Sequence, residues 1–137
     1  MTSLGDPEGV VTKVSRRPVA YTLGRLRTIV EAKGMTEYSL IDFSGQAARA
    51  GLRMPAAKLL IFGVPAGSTP VMLAHPLAGL DLPLKVLVWD NPAGGPAGGA
   101  FVSYLSSTYL KSRYQLSDEL ASMVAAVEEI AAAAVAP

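Results

Sequence analysis

Leu84-Lys85-Val86-Leu87-Val88-Trp89-Asp90 and Ala100-Phe101-Val102-Ser103-Tyr104-Leu105 are two apolar runs separated by Pro92-Ala93-Gly94-Gly95 and its immediate repeat, Pro96-Ala97-Gly98-Gly99. Runs of this length, rich in branched and aromatic residues and bounded by Pro and Gly, read as strands. A connection this short pairs them antiparallel, as a hairpin. Upstream, Lys58-Leu59-Leu60-Ile61-Phe62 is a third run with almost no polar alternation. It predicts a central strand covered on both faces. Gly63–Ser68 then reads as a turn, Thr69-Pro70 as an N-cap with a first-turn proline, Val71–His75 as a short helix, and Pro76–Pro83 as a loop.

Towards the N-terminus, Met1–Gly9 reads as a flexible, polar lead without the apolar core of a signal peptide, and Val10–Ser15 alternates as a short strand. Pro18 suits a first helical position. Val19, Leu23, Leu26 and Val30 then recur at helical spacing, ending in Lys33 and stopped by Gly34. Glu37–Phe43 predicts a second strand, and Ser44 a cap for a helix through Ala50. Towards the C-terminus, Thr108–Tyr114 predicts one or two helical turns. Ser117, followed by Asp118 and Glu119, starts a final helix with Leu120, Val124, Val127 and Ala131 on its apolar stripe. The alanine-rich tail from Ala131 is expected to fray. Helices and strands do not alternate as βαβ units. The expected class is therefore α+β: a mostly antiparallel sheet of about five strands with helices packed on one face, forming a single domain over residues 10–137.

Composition narrows the function. Apolar residues make up 50% of the chain and charged residues 17%, so surplus apolar surface needs a core, an interface or a ligand cavity. The longest stretch without Asp, Glu, Lys or Arg, Leu59–Leu80, is interrupted by Gly63, Pro65, Gly67, Pro70 and Pro76. A lipid-exposed helix does not tolerate such interruptions, so no membrane span is expected. There are no cysteines and a single histidine, His75, which argues against a metal site and fits a cytoplasmic location; no cofactor is expected. Net charge is +1, which makes nucleic acid an unfavoured partner. The nine basic residues between Lys13 and Lys58 read as a solvated face.

A series of segments carries a family resemblance. They are Ile41-Asp42, Ala47-Ala48, Gly51-Leu52, Leu60-Ile61-Phe62-Gly63 with Pro65, Thr69-Pro70-Val71-Met72, Leu80-Asp81-Leu82-Pro83-Leu84-Lys85, Ser103-Tyr104, Tyr109-Leu110 and Arg113-Tyr114. This series resembles the domain of unknown function 302 family over almost the whole chain after Val10. The resemblance implies a small α+β fold with a TATA-box-binding-protein-like sheet and a homodimeric state. It implies no activity. Phe43 stands where the family usually has His, and Val64 and Ala66 where it has Asn and Lys. The hairpin loop is longer by about one Pro-Ala-Gly-Gly unit. The chain thus resembles a divergent member with an altered polar cluster, which would suit an apolar ligand.

Four groups are candidates for acid–base chemistry: Asp42, His75, Asp81 and Lys85. His75 alone titrates near neutrality when unperturbed. Asp42 and Asp81 also read as carboxylates that bind nearby backbone N–H groups, and Lys85 either reaches an edge or lines a pocket. Phe43, Val64, Trp89, Tyr104 and Arg113 are candidate ligand contacts, with Tyr109 and Tyr114 beside Arg113 as a possible aromatic rim. The glycine pairs of the hairpin loop lack the Lys-Ser/Thr and the following helix of a phosphate loop. The leading expectation is a homodimeric module that binds a small apolar ligand or a protein partner. The alternative is a cofactor-independent isomerase, cyclase or lyase acting on a small apolar substrate.

Overall fold

The structure, a computed structural model, describes residues 6–137. The Met1–Gly5 part of the expected flexible lead lies outside them. Pro7–Gly9 forms a turn in which Val10 N–H donates to the Pro7 carbonyl at 3.1 Å.

Five strands, β1 (Val10–Ser15), β2 (Thr36–Asp42), β3 (Ala57–Gly63), β4 (Leu84–Asp90) and β5 (Ala100–Leu105), form one antiparallel sheet in the order β1-β5-β4-β3-β2. The Pro/Gly repeat makes the β4–β5 hairpin, with Gly95 and Gly98 at positive φ. The centre of the sheet is β4. The expectation that Lys58–Phe62 is central and covered on both faces is corrected: β3 lies one strand in from the β2 edge. Its Leu60 and Phe62 are fully buried, whereas Leu59 and Ile61 are half-buried. An unbroken apolar run shows that both faces avoid water, but not what covers them.

Side chains alternate across the sheet. Leu60, Phe62, Val86, Val88, Val102 and Tyr104 therefore share one face. Two helices cover it: α1 (Val19–Ala32) and α6 (Ala126–Val135), which also pack on each other. The apolar stripe of α1 lies where its spacing predicts, with Val19, Leu23, Leu26 and Val30 buried. The opposite sheet face carries Leu59, Ile61, Leu87, Trp89 and Phe101. Among the described residues no helix layer covers it, and the Trp89 and Phe101 rings meet at 4.6 Å between centroids.

Several boundaries differ from expectation. Strand β2 ends at Asp42, and Phe43 opens α2 (Phe43–Arg49). Asp42, not Ser44, is the N-cap, because its carboxylate accepts from Gly45 N–H at 2.9 Å. Ser44 instead donates to that carboxylate and accepts from Ala57 N–H, tying α2 to β3. Helix α3 (Pro65–Ala74) starts where a turn was expected. Pro65 is its first-turn proline, and Pro70 lies inside it. Pro76–Leu80 is a short 3-10 helix within the expected loop. After α4 (Ser107–Tyr114), the expected final helix is two: α5 (Asp118–Ser122) and α6, separated by a turn that buries Val124. The alanine tail does not fray from Ala131. Helix α6 runs to Val135 with Ala131 and Ala134 buried against the core, because small side chains permit close approach to α1.

Candidate functional site

The ladder between β4 and β5 runs from Asp90↔Ala100 to Leu87↔Ser103 and stops. Both strands continue. β4 stays paired with β3 as far as Phe62↔Leu84, and β5 with β1 as far as Val10↔Leu105. The sheet therefore splits at this end into two halves. The split opens a cavity of about 320 Å³, at the small end of ligand clefts. Its walls are mainly apolar, including Leu59, Leu87 and Leu105 from the sheet and Leu110 and Val127 from the helices.

Four polar side chains reach this wedge: Asp81, Lys85, Ser103 and Tyr104. Asp81 follows the 3-10 helix. Its carboxylate accepts from the Tyr114 hydroxyl and lies 3.2 Å from Arg113 Nε. Arg113 also donates to the Tyr114 and Tyr109 hydroxyls at 3.1 and 3.0 Å. The hydrogen bond to Asp81 raises the pKa of Tyr114. Gly9, at φ +84°, lies so close to the Tyr109 ring that a Cβ there would overlap it.

Lys85 is half-buried. Its ammonium donates to the Pro83 carbonyl at 2.9 Å; the Leu82–Pro83 peptide just before that carbonyl is cis. Among the described residues no carboxylate lies within ion-pair distance of it. Burial lowers its pKa, which the charge of Asp81 partly offsets. Tyr104 is buried on the helix side, where desolvation and the nearby Glu128 carboxylate push its pKa well up, so its hydroxyl stays neutral. Glu128 also accepts from the Ser107 backbone N–H and hydroxyl, fixing α6 to the start of α4.

Of the side chains singled out from sequence, Asp81, Lys85 and Tyr104 thus come together in the wedge, with Arg113 bound to Asp81. The others do not join them. Asp42 caps α2, and its pKa is lowered by the Gly45 N–H and the Ser44 hydroxyl. Phe43 is exposed at the start of that helix. Val64 precedes α3 and lines a separate small cleft with Met35 and Met123. His75 joins α3 to the 3-10 helix. Trp89 lies on the open sheet face and touches the site indirectly, its indole N–H donating to Ser103 Oγ at 2.9 Å. Sequence reasoning missed Ser103 and Glu128. The signal for Glu128 was a pair of acids, Glu128 and Glu129, in the first turn of an otherwise apolar, alanine-rich helix. Among the described residues no cluster of three or more His, Cys, Asp or Glu could hold a metal ion, and no helix is long and apolar enough to cross a membrane.

Comparison with known proteins places this geometry in context. The Brucella suis protein named Fluoride-specific ion channel FluC 1 is 37% identical over 94 residues, which is 69% of this chain and 37% of that protein. Its Brucella abortus namesake and the Brucella melitensis Fluoride-specific ion channel FluC 2 show the same 37% identity over 94 residues, and 34% of each is covered. The chain thus spans about a third of the length of these curated relatives. The crystal structure of an uncharacterized conserved protein DUF302 from Bacillus stearothermophilus has the same fold. The TM-score is 0.74 at 18% identity, covering 94% of this chain and 97% of that one. The family pattern of "Domain of unknown function DUF302" matches residues 11–135. Since that match spans nearly the whole chain, the protein belongs to the DUF302 family.

Proposed function

We propose that this protein binds a small, mostly apolar ligand in the wedge between β4 and β5. The interrupted ladder carries the reading: two strands that remain paired with their outer neighbours part from each other and leave a cavity with apolar walls and a few convergent polar groups. Such a cavity gains roughly 25 cal/mol for each Å² of apolar ligand surface that it removes from water. The placement of the candidate acid–base groups favours binding over turnover. Asp42 and His75 are not wedge residues, and Asp81 is already engaged by Tyr114 and Arg113, which leaves Lys85 without a partner for proton transfer.

The test is a titration with the neutral fluorescent probe N-phenyl-1-naphthylamine. Saturable binding at one site per chain is expected, and Leu87→Trp, which fills the wedge, should abolish it. Unsaturable binding, or binding that Leu87→Trp leaves unchanged, overturns the reading.

Two further elements belong to this proposal. The open sheet face, with Ile61 and Trp89 half-buried and Val14 exposed, is the surface through which a homodimer would form. The conduction named for the Brucella relatives is assigned to the larger part of those proteins, which lies outside the matched 94 residues. The absence of any membrane-capable helix among the described residues supports that assignment.

A further inference from the structure

We propose that the ligand of the wedge is a monocarboxylate: an acid with a compact apolar body, held at its head by the Lys85 ammonium. The inference rests on the wedge being a ligand site and goes further by assigning the head group.

The charge around Lys85 is unbalanced. Lys85 projects into a cavity whose walls are mainly leucine and valine. A half-buried ammonium is normally matched by a carboxylate, because burying charge without a partner is costly. The nearest candidate, Asp81, is already taken by Arg113 Nε at 3.2 Å and by the Tyr114 hydroxyl. Among the described residues the ammonium has one hydrogen-bond partner, the neutral Pro83 carbonyl. Counting Lys85, Arg113 and Asp81 together, the Lys85 end of the wedge carries one uncompensated positive charge; the Glu128 carboxylate lies beside Tyr104 on the helix side, where it accepts from the Ser107 N–H and hydroxyl. The hydroxyls of Ser103 and Tyr104 are neutral wedge groups, and the remaining lining is apolar. A ligand with one negative oxygen pair and an otherwise apolar body complements this distribution. A cationic ligand would add a second unmatched positive charge, and a dianion would leave one negative charge in an apolar cavity. A carboxylate accepting from the ammonium forms a charge-assisted hydrogen bond, stronger than a neutral one.

The experiment is isothermal titration calorimetry of the intact chain at neutral pH with octanoate, methyl octanoate, 1-octanol and octylamine, which share one tail and differ in the head. Octanoate is expected to bind about tenfold or more tighter than 1-octanol and methyl octanoate, and octylamine weakest. In Lys85→Met, octanoate should fall to the level of 1-octanol while 1-octanol binding is kept, which also shows that the variant is folded. If Lys85→Met does not retain 1-octanol binding, Lys85→Gln takes its place, and the methyl ester gives the comparison on the unaltered chain. Equal binding of octanoate and 1-octanol overturns the head-group assignment and leaves the apolar-ligand reading standing. An octanoate preference that survives loss of the Lys85 charge overturns it too. No binding of any of the four compounds overturns both readings.

Discussion

Lys85 and Tyr104 share one cavity, and burial acts on them in opposite senses because it disfavours the charged form of each. For Lys85 the folded pKa lies below 10.5. Between that folded value and 10.5 the unfolded chain holds more protons, so the contribution of Lys85 to stability rises with pH. For Tyr104 the folded pKa lies above 10.0. As pH rises past 10, the unfolded chain releases a phenolic proton that the folded chain retains, and stability falls. Tyr104→Phe should therefore weaken the loss of stability above pH 10, read as the urea midpoint against pH. An unchanged alkaline slope would show that Tyr104 is not desolvated as the structure has it. The chemistry of both side chains was legible in the sequence, where alternation along β4 places Lys85 on a face with Leu87 and Trp89. Their shared cavity was not, because Lys85 and Tyr104 sit on opposite faces of the sheet and meet only where the sheet splits.

Elements were read well where a local rule is sufficient. Strands β1, β4 and β5 and the stripe of α1 follow from alternation, from helical spacing and from the proline and glycine that bound them. The C-terminal helices show the opposite case. No proline or glycine marks the break between α5 and α6, which burial of Val124 accompanies. Alanine richness suggested fraying, yet Ala131 is wholly buried. If the small side chain is what lets α6 pack on α1, then Ala131→Leu should cost about 1–3 kcal/mol through overpacking, measured by urea denaturation. A neutral or stabilising result would mean that the end of α6 is loose. Helix α3 was misread because two prolines, Pro65 and Pro70, offer the same first-turn signal; the helix starts at Pro65 and keeps Pro70 inside it.

At the scale of the whole molecule, one sheet face is covered by α1 and α6, and the other carries Leu59, Ile61, Leu87, Trp89 and Phe101 without a helix layer. The proposed homodimer predicts sedimentation at twice the chain mass of 14.2 kDa. Ile61→Lys, on that face and outside the wedge, should return the protein to a single chain. A monomer before substitution would remove the dimer from the proposal.

The sequence by itself determined the α+β class, the antiparallel hairpin, the family and the absence of long apolar helices from the central block. Each of these is written in local period, in turn residues or in a linear motif. Tertiary structure alone decided which strand is central, where the sheet splits and which polar groups meet there. Tyr114 reaches Asp81 across 33 residues of sequence, and Lys85 is left without an ionic partner among the described residues because Arg113 takes the Asp81 carboxylate. Such pairings depend on how distant elements pack against one another, and no local pattern of residues encodes them. The Leu84–Leu105 hairpin shows both sides: its existence is a property of its own sequence, while the opening of its far end is set by the outer strands that hold its two arms apart.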